Sequence, residues 1–261
     1  MKTLLSFTRR TWNLDPILTG TGLAMLTLLP LTLLGLQLDP RLIGGAPAWL
    51  KPAKFAASTA VYSLTLPWVL AALSEWPRLR RGASRLTAAV MVVEVAIISA
   101  QAWRGVSSHF NVSTPLDAVL FGVMGAAIAA QTAAAGAVAF ALFRQRFTDP
   151  VMATAFRTGM LIAVLGASTG GLMTSPSRAQ LGEAAATGRM ERSGGHTVGA
   201  ADGGPGLPGI GWSRDHGDLR VPHFIGLHAV QILPLLALWL RRRTPAQAAR
   251  LVTIASVAYA A

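Results

Sequence analysis

Long apolar stretches alternate along this chain with short polar, basic ones. Six of them, at 16–38, 55–73, 86–103, 118–143, 151–174 and 221–240, approach or exceed the ~20 residues an α-helix needs to cross bilayer hydrocarbon. A seventh, 248–261, is apolar but short for a full crossing, so it is expected either to continue past Ala261 or to cross in part. The expected fold is all-α: one polytopic transmembrane helix bundle over 1–261, with six full spans and an incomplete seventh. Residues 1–15 are basic. The apolar stretch behind them is long and lacks a small-residue cleavage site, so it reads as a retained first span rather than a signal peptide.

Arginine and lysine set the orientation. Lys2, Arg9 and Arg10 precede the first span; Arg78, Arg80, Arg81 and Arg85 follow the second; Arg144 and Arg146 follow the fourth; Arg241, Arg242 and Arg243 follow the sixth. These segments alternate, so all fall on one side, and the positive-inside bias makes that side, with the N-terminus, cytoplasmic. The opposite short loops are poorer in charge, with Arg41, Lys51 and Lys54 in one and Arg104 in the other. The long loop 175–220 is then outside. Trp12, Trp76 and Trp239 fall near the inner interface, Trp49 and Trp103 near the outer one, as amphipathic indoles do.

Small residues at Gly122, Ala126, Ala130 and Ala134 in the fourth span, and at Gly166 and Gly170 in the fifth, have the spacing that lets helix backbones approach. Between Gly194 and Gly211 the outer loop holds eight glycines, so it should have little regular structure and act as a lid or a cap. There is no internal repeat and no Walker-type or nucleophile-elbow motif.

Composition agrees with the pattern. The chain is 52% hydrophobic and 13% charged, against ~25% charged for a soluble domain. A net charge of +12 on a soluble protein would raise nucleic-acid binding. Here the arginines sit between apolar stretches, so the expected partner is the lipid bilayer and not nucleic acid. The absence of cysteine excludes disulfides, thiolate metal sites and a cysteine nucleophile.

Two sets of residues carry candidate chemistry. All five histidines, His109, His196, His216, His223 and His228, fall on or near the outer face. Neutral imidazole ligates metals and haem iron. His228 lies about five residues inside the sixth span, where an ionisable side chain should face protein or water. His223 and His228 are about 140° apart on a helix, so each needs a partner elsewhere, and His109 is the natural candidate. The second set is a stripe on the third span. Glu94, Gln101 and Ser108 share one face at seven-residue spacing, with Arg104 beside them. Such a stripe lines a wet cavity or an interhelical seam. Arg157 on the fifth span lies at a depth matching Glu94 within ~3 Å, so a buried Glu94–Arg157 pair is one expectation. Lys51, Lys54, Arg104 and Arg220, with Asp218 at the start of the sixth span, could hold an anionic substrate or lipid headgroup at the outer edge.

The segments Trp49-Leu-Lys-Pro-Ala-Lys-Phe55 and Gly217-Asp-Leu-Arg-Val-Pro-His-Phe-Ile-Gly-Leu-His228 resemble those of a group of uncharacterised bacterial polytopic integral membrane proteins. The resemblance covers most of the chain, including 104–111 and the Gly-rich loop. It implies a bacterial inner membrane and a last helix that continues past Ala261. The surroundings of His223 and His228 are also similar to the haem A synthase layout, although that family places histidines on several helices and only the sixth span does so here. The expected function is a redox-type membrane protein holding haem b, quinone or a metal ion at the outer face through His223, His228 and His109. The alternatives are a small-molecule or ion transporter, or headgroup-binding protein, using the Glu94–Gln101 stripe, and an accessory subunit of a membrane complex.

Overall fold

The computed structural model describes residues 2–202 and 206–261, with side-chain surroundings from residue 5 onward. The fold is all-α and 73% helical. Its helices are α1 (Lys2–Leu14), α2 (Pro16–Leu38), α3 (Leu50–Ala71), α4 (Pro77–Arg104), α5 (Pro115–Arg144), α6 (Pro150–Met173), α7 (Arg178–Thr187), α8 (Arg220–Trp239) and α9 (Pro245–Ala260). Two short antiparallel pairings interrupt the connections: β1 (Leu42–Ile43) with β2 (Ala46–Pro47), and β3 (Thr197–Val198) with β4 (Gly217–Asp218).

The sequence marks where these helices begin. Pro16, Pro77, Pro115, Pro150 and Pro245 occupy first helical turns, where a missing N–H costs nothing and the fixed φ suits the helix. Asp15, Thr114, Asp149 and Thr244 stand immediately before four of them and accept first-turn amides through their side chains.

Five helices are long and apolar enough to cross a membrane: α2, α4, α5, α6 (with α7 continuing its run) and α8. This is compatible with a multi-pass membrane protein. The helix over the expected second span, α3, has 22 residues but is not among the five. Lys54, Ser58, Thr59, Tyr62, Ser63 and Thr65 lower its hydropathy. Helix α9 has 16 residues, about 24 Å at 1.5 Å per residue, short of the ~30 Å hydrocarbon thickness. The lateral surface is leucine- and valine-rich, with Leu31, Leu34, Val119, Leu165, Leu172 and Leu235 all exposed. A contiguous apolar surface of this extent belongs against lipid or another protein. Residues 5–14, basic in sequence, belong to the separate helix α1. It lies against α2 and α3, held by Phe7 stacked on Trp68 at 6.0 Å and by the Trp68 indole N–H donating to Thr11 at 3.3 Å.

The helices form two stacks. One is α1 to α5; the other is α6, α8 and α9. The α6–α8 contact is backbone on backbone. A Cβ on Gly166 would lie 2.7 Å from the Gly226 Cα, and one on Gly159 would lie 2.9 Å from the Ala229 carbonyl oxygen. The close approach expected at Gly166 is thus present. The stripe Gly122, Ala126, Ala130, Ala134 does not pack tightly within the chain: Gly122 has nothing within 4 Å, and Ala126 and Ala130 are exposed. The buried face of α5 is instead Asp117, Met124, Gln131 and Val138, at seven-residue intervals. The two stacks share their main core at the end away from the long loop. There Leu18, Leu66, Leu70, Leu142, Phe156 and Met160 meet.

The long loop forms an ordered cap, one of the two forms expected of it, and its regular structure is α7 and the short β3–β4 pairing. Helix α7 starts with a reciprocal capping box between Ser177 and Gln180. The Gln180 side chain then bonds Gly194 in both directions. The Gly195 amide donates to the Met173 carbonyl and the Ser193 amide to the Phe110 carbonyl, each at 2.9 Å. Residues 203–205 of the Gly-rich stretch lie outside the described residues.

Candidate functional site beneath the cap

Helices α4 and α5 are tied by two polar rungs. Thr87 donates to Gln131 at 3.0 Å, and the Gln101 amide donates to Asp117 at 2.8 Å. The rungs are fourteen residues apart on both helices, so their midpoints, Glu94 and Met124, lie level with each other. Glu94 is 3% exposed, and neither carboxylate oxygen has a hydrogen-bond partner among the described residues. A carboxylate left so in a low-dielectric interior is costly when ionised, which favours holding a proton there.

The rest of the expected stripe is committed to structure. Gln101 is 1% exposed. It and Arg104 converge on Asp117, with Arg104 Nη1 at 2.7 Å from the carboxylate and also donating to the Gln101 oxygen. Thr114 adds a donor to Asp117 at 2.6 Å. Gln101 is therefore not the open end of a path, and Arg104 is not free for an external anion. Ser108 is buried and contacts His109 Nδ1 at 3.2 Å. The expected Glu94–Arg157 pair does not form. Arg157 donates to the Leu142 and Gln145 carbonyls, both at 2.9 Å, closing the C-terminal end of α5, and its guanidinium lies 5.2 Å from the Phe147 ring centre. Equal depth did not decide the pairing, because a long side chain took the nearer unpaired carbonyls.

The charged group whose field acts on Glu94 is Lys51. Thr59 on α3 contacts Met91 on α4 at 3.9 Å, which sets Glu94 level with Ala56 and Lys51 about five residues, or ~7 Å, toward the cap. Lys51 is half-buried and its Nζ stands 5.8 Å from the Phe55 ring centre. Unlike Lys54, which donates to the Ile210 carbonyl at 3.2 Å, it has no hydrogen-bond partner among the described residues. From Phe55 a chain of rings leads outward. His109 is 5.9 Å from Phe55, 6.1 Å from Phe110 and 6.4 Å from Phe121, and His196 is 4.9 Å from Phe110. Phe110 is buried and has φ of 63°, the positive-φ non-glycine residue among those described. Such strain is held only where the surroundings over-determine it, here the cap bonds on either side.

The three candidate histidines do not share one centre. The His223 imidazole is bonded to the Gly166 carbonyl at 2.9 Å, inside the α6–α8 contact. His228 turns away and packs edge-on to Phe224 at 4.3 Å. Among the described residues no group of three or more His, Asp or Glu side chains is placed to hold a metal ion. The structure brings His109 within electrostatic reach of Lys51, of His223 and of His196, the last of which sequence spacing had not singled out. At the cap, Asp218 pairs with Arg220 at 2.6 Å, and Asp202 with Arg192 at 2.7 Å. Asp202 also accepts the His196 and Thr197 amides, each at 2.7 Å.

Burial first, then the Arg220 charge, pushes the His196 imidazole down to about 4 from 6.5. Burial, with Lys51 next, holds His109 well below the ordinary histidine range. A depressed folded-state value means that the cap is fully stable above the unfolded value, near pH 6.5, and loses stability as pH falls toward about 4. Amide exchange in residues 192–202 should accelerate over that window, and His196→Asn should remove the acceleration. Exchange that stays flat in the wild type would contradict it. Glu94 gives a second expectation. Glu94→Met removes an unpartnered buried carboxyl, so it should raise the thermal melting point in detergent. A lower melting point would mean that the carboxyl has a partner in the folded protein.

Comparisons with family models, with curated proteins and with solved structures find no match for this chain. The functional reading rests on the site alone.

Proposed function

We propose that this chain is a multi-pass protein of a bacterial inner membrane and works as a proton-coupled transporter of a small solute. In this reading α3 is a sixth crossing, beside the five more apolar helices, and α9 a partial seventh. The arginine-rich connections and the N-terminus are cytoplasmic, and the cap over 175–220 faces outward. Glu94 is the proton-binding group, and solute enters beneath the cap past Lys51 and His109.

The observation that carries this reading is the orphaned carboxyl of Glu94, buried at mid-helix between two satisfied polar rungs. Intramembrane acids of this kind mark proton or ion pathways. The redox reading draws less from the geometry, since His223 and His228 are engaged separately. The rings around His109 do favour a second reading, a quinone-type ligand with His109 as its hydrogen-bond partner. A reduced-minus-oxidised difference spectrum of the protein, recorded with a soluble quinone, tests that separately.

The test of the transporter reading uses full-length protein in vesicles loaded with a pH-sensitive dye. A panel of neutral, cationic and anionic solutes added outside should include one that drives proton movement, lost in Glu94→Gln. Infrared titration should show a protonated-carboxyl band that the same variant lacks. Folded wild-type protein with no Glu94-dependent carboxyl band, or Glu94→Gln with full proton movement, overturns the reading.

A further inference from the structure

We propose that the solute that travels with the proton is a small monocarboxylate, bound by Lys51 beneath the cap when Glu94 is protonated. This rests on the proton-coupled reading and names its substrate class.

The charges around Lys51 come from every element packed there. Glu94 on α4, Arg192 in the cap and Arg220 on α8 act on it, and His109 in the α4–α5 connection and His196 in the cap feel its charge; Lys54 lies one turn along α3, and His223 on α8 faces His109. Most cancel locally. Arg192 is paired with Asp202 and Arg220 with Asp218. Lys54 reaches the Ile210 carbonyl. Burial keeps His109 and His196 neutral above pH 6.5. What remains is the Lys51 amine, which burial pushes down to about 7, and the Glu94 carboxyl, neither with a hydrogen-bond partner among the described residues.

A low-dielectric site tolerates one anion for its one cation. With Glu94 ionised, its own charge serves Lys51. With Glu94 protonated, Lys51 is uncompensated and an external anion replaces it. Both occupancies are neutral, so neither carries net charge into the membrane. One helix start favours an anion further. Helix α3, after Trp49, has no side-chain N-cap bond, whereas the first amide of α8 is already taken by the Asp218 carboxylate at 2.9 Å. The aromatic neighbours argue for a carboxylate with an apolar body over a bare inorganic ion. Phe55, Phe110 and Phe121 supply ring faces, and His109 sits among them.

Proton and anion are then linked ligands, each raising the affinity for the other. The sign is fixed: anion affinity is highest when Glu94 is protonated and falls as pH rises through its titration, by about tenfold per pH unit for one linked proton. The experiment is equilibrium binding of benzoate to the full chain in detergent, stepped upward from pH 6.5, with inorganic phosphate as the comparison anion. Wild type is expected to bind benzoate in preference to phosphate, with the falling affinity. Glu94→Gln should bind benzoate with a shallower pH dependence, the part left being the loss of the Lys51 proton near pH 7; Lys51→Met should lose binding, and Lys54→Met should keep it. A wild type that fails to bind benzoate, a Glu94→Gln variant with unchanged pH dependence, or a folded Lys51→Met variant that binds normally overturns the proposal. The two readings separate cleanly. A Glu94 carboxyl band with no benzoate binding leaves the proton site standing and removes only the anion.

Discussion

Gly166→Leu should lower the melting temperature of the full-length protein in detergent by on the order of 10 °C. The first atom of any side chain at Gly166 meets the Gly226 backbone at 2.7 Å, and backbone cannot rotate aside as a side chain can. Overpacking a core usually costs about 1–3 kcal/mol when side chains can shift. Here a whole helix must move, so the cost should lie at or above the top of that range. Gly171→Leu is the control: it is in the same helix and has nothing within 4 Å of its Cβ direction. It should change the melting temperature little. Equal losses for the two variants would mean that helix α6 itself, and not its contact with α8, responds to the substitution.

Asp117→Ala should be the most damaging polar substitution, at about 3 kcal/mol. Three side-chain donors point at this one buried carboxylate, from Gln101, Arg104 and Thr114. Alanine leaves the buried Gln101 amide without an acceptor and removes the partner of Arg104. The guanidinium is partly exposed, so water recovers some of the loss and the full price of a buried broken pair is not reached. Paired substitutions at Asp117 and Gln101, measured by thermal unfolding, should show coupling, with the double variant costing less than the two single ones added. Strict additivity would show that the α4–α5 rung contributes nothing as a unit.

Much of the frame was legible because its signals are local. Asp15-Pro16, Thr114-Pro115 and Asp149-Pro150 announce helix starts, and Gly166 announced a close approach. Ser177 and Gln180 have the spacing of a capping box inside a loop expected to be irregular, and Thr114 and Asp117 repeat that spacing before α5. The site itself was only half legible. Glu94 stands out as an acid in an apolar stretch, but its neighbour does not. That Lys51 and not Arg157 acts on it depends on how far α3 slides along α4, a register set by contacts such as Thr59 with Met91. Depth alone made Arg157 the natural partner, and the unpaired carbonyls ending α5 were the competitor that depth ignores.

The placement of the main core has a mechanical consequence. The two stacks of helices are fastened where Leu18, Leu70, Leu142 and Met160 meet, far from the cap, while Lys51 and Glu94 stand on one stack and His223 on the other. Such a body is laid out like a pair of tweezers, joined at the base with the cap across the tips. A rotation of about 4° at the base of a ~30 Å helix would move its tip by about 2 Å without unwinding any helix. The cap, bonded to Phe110 on one tip and to Met173 on the other, is then the clasp.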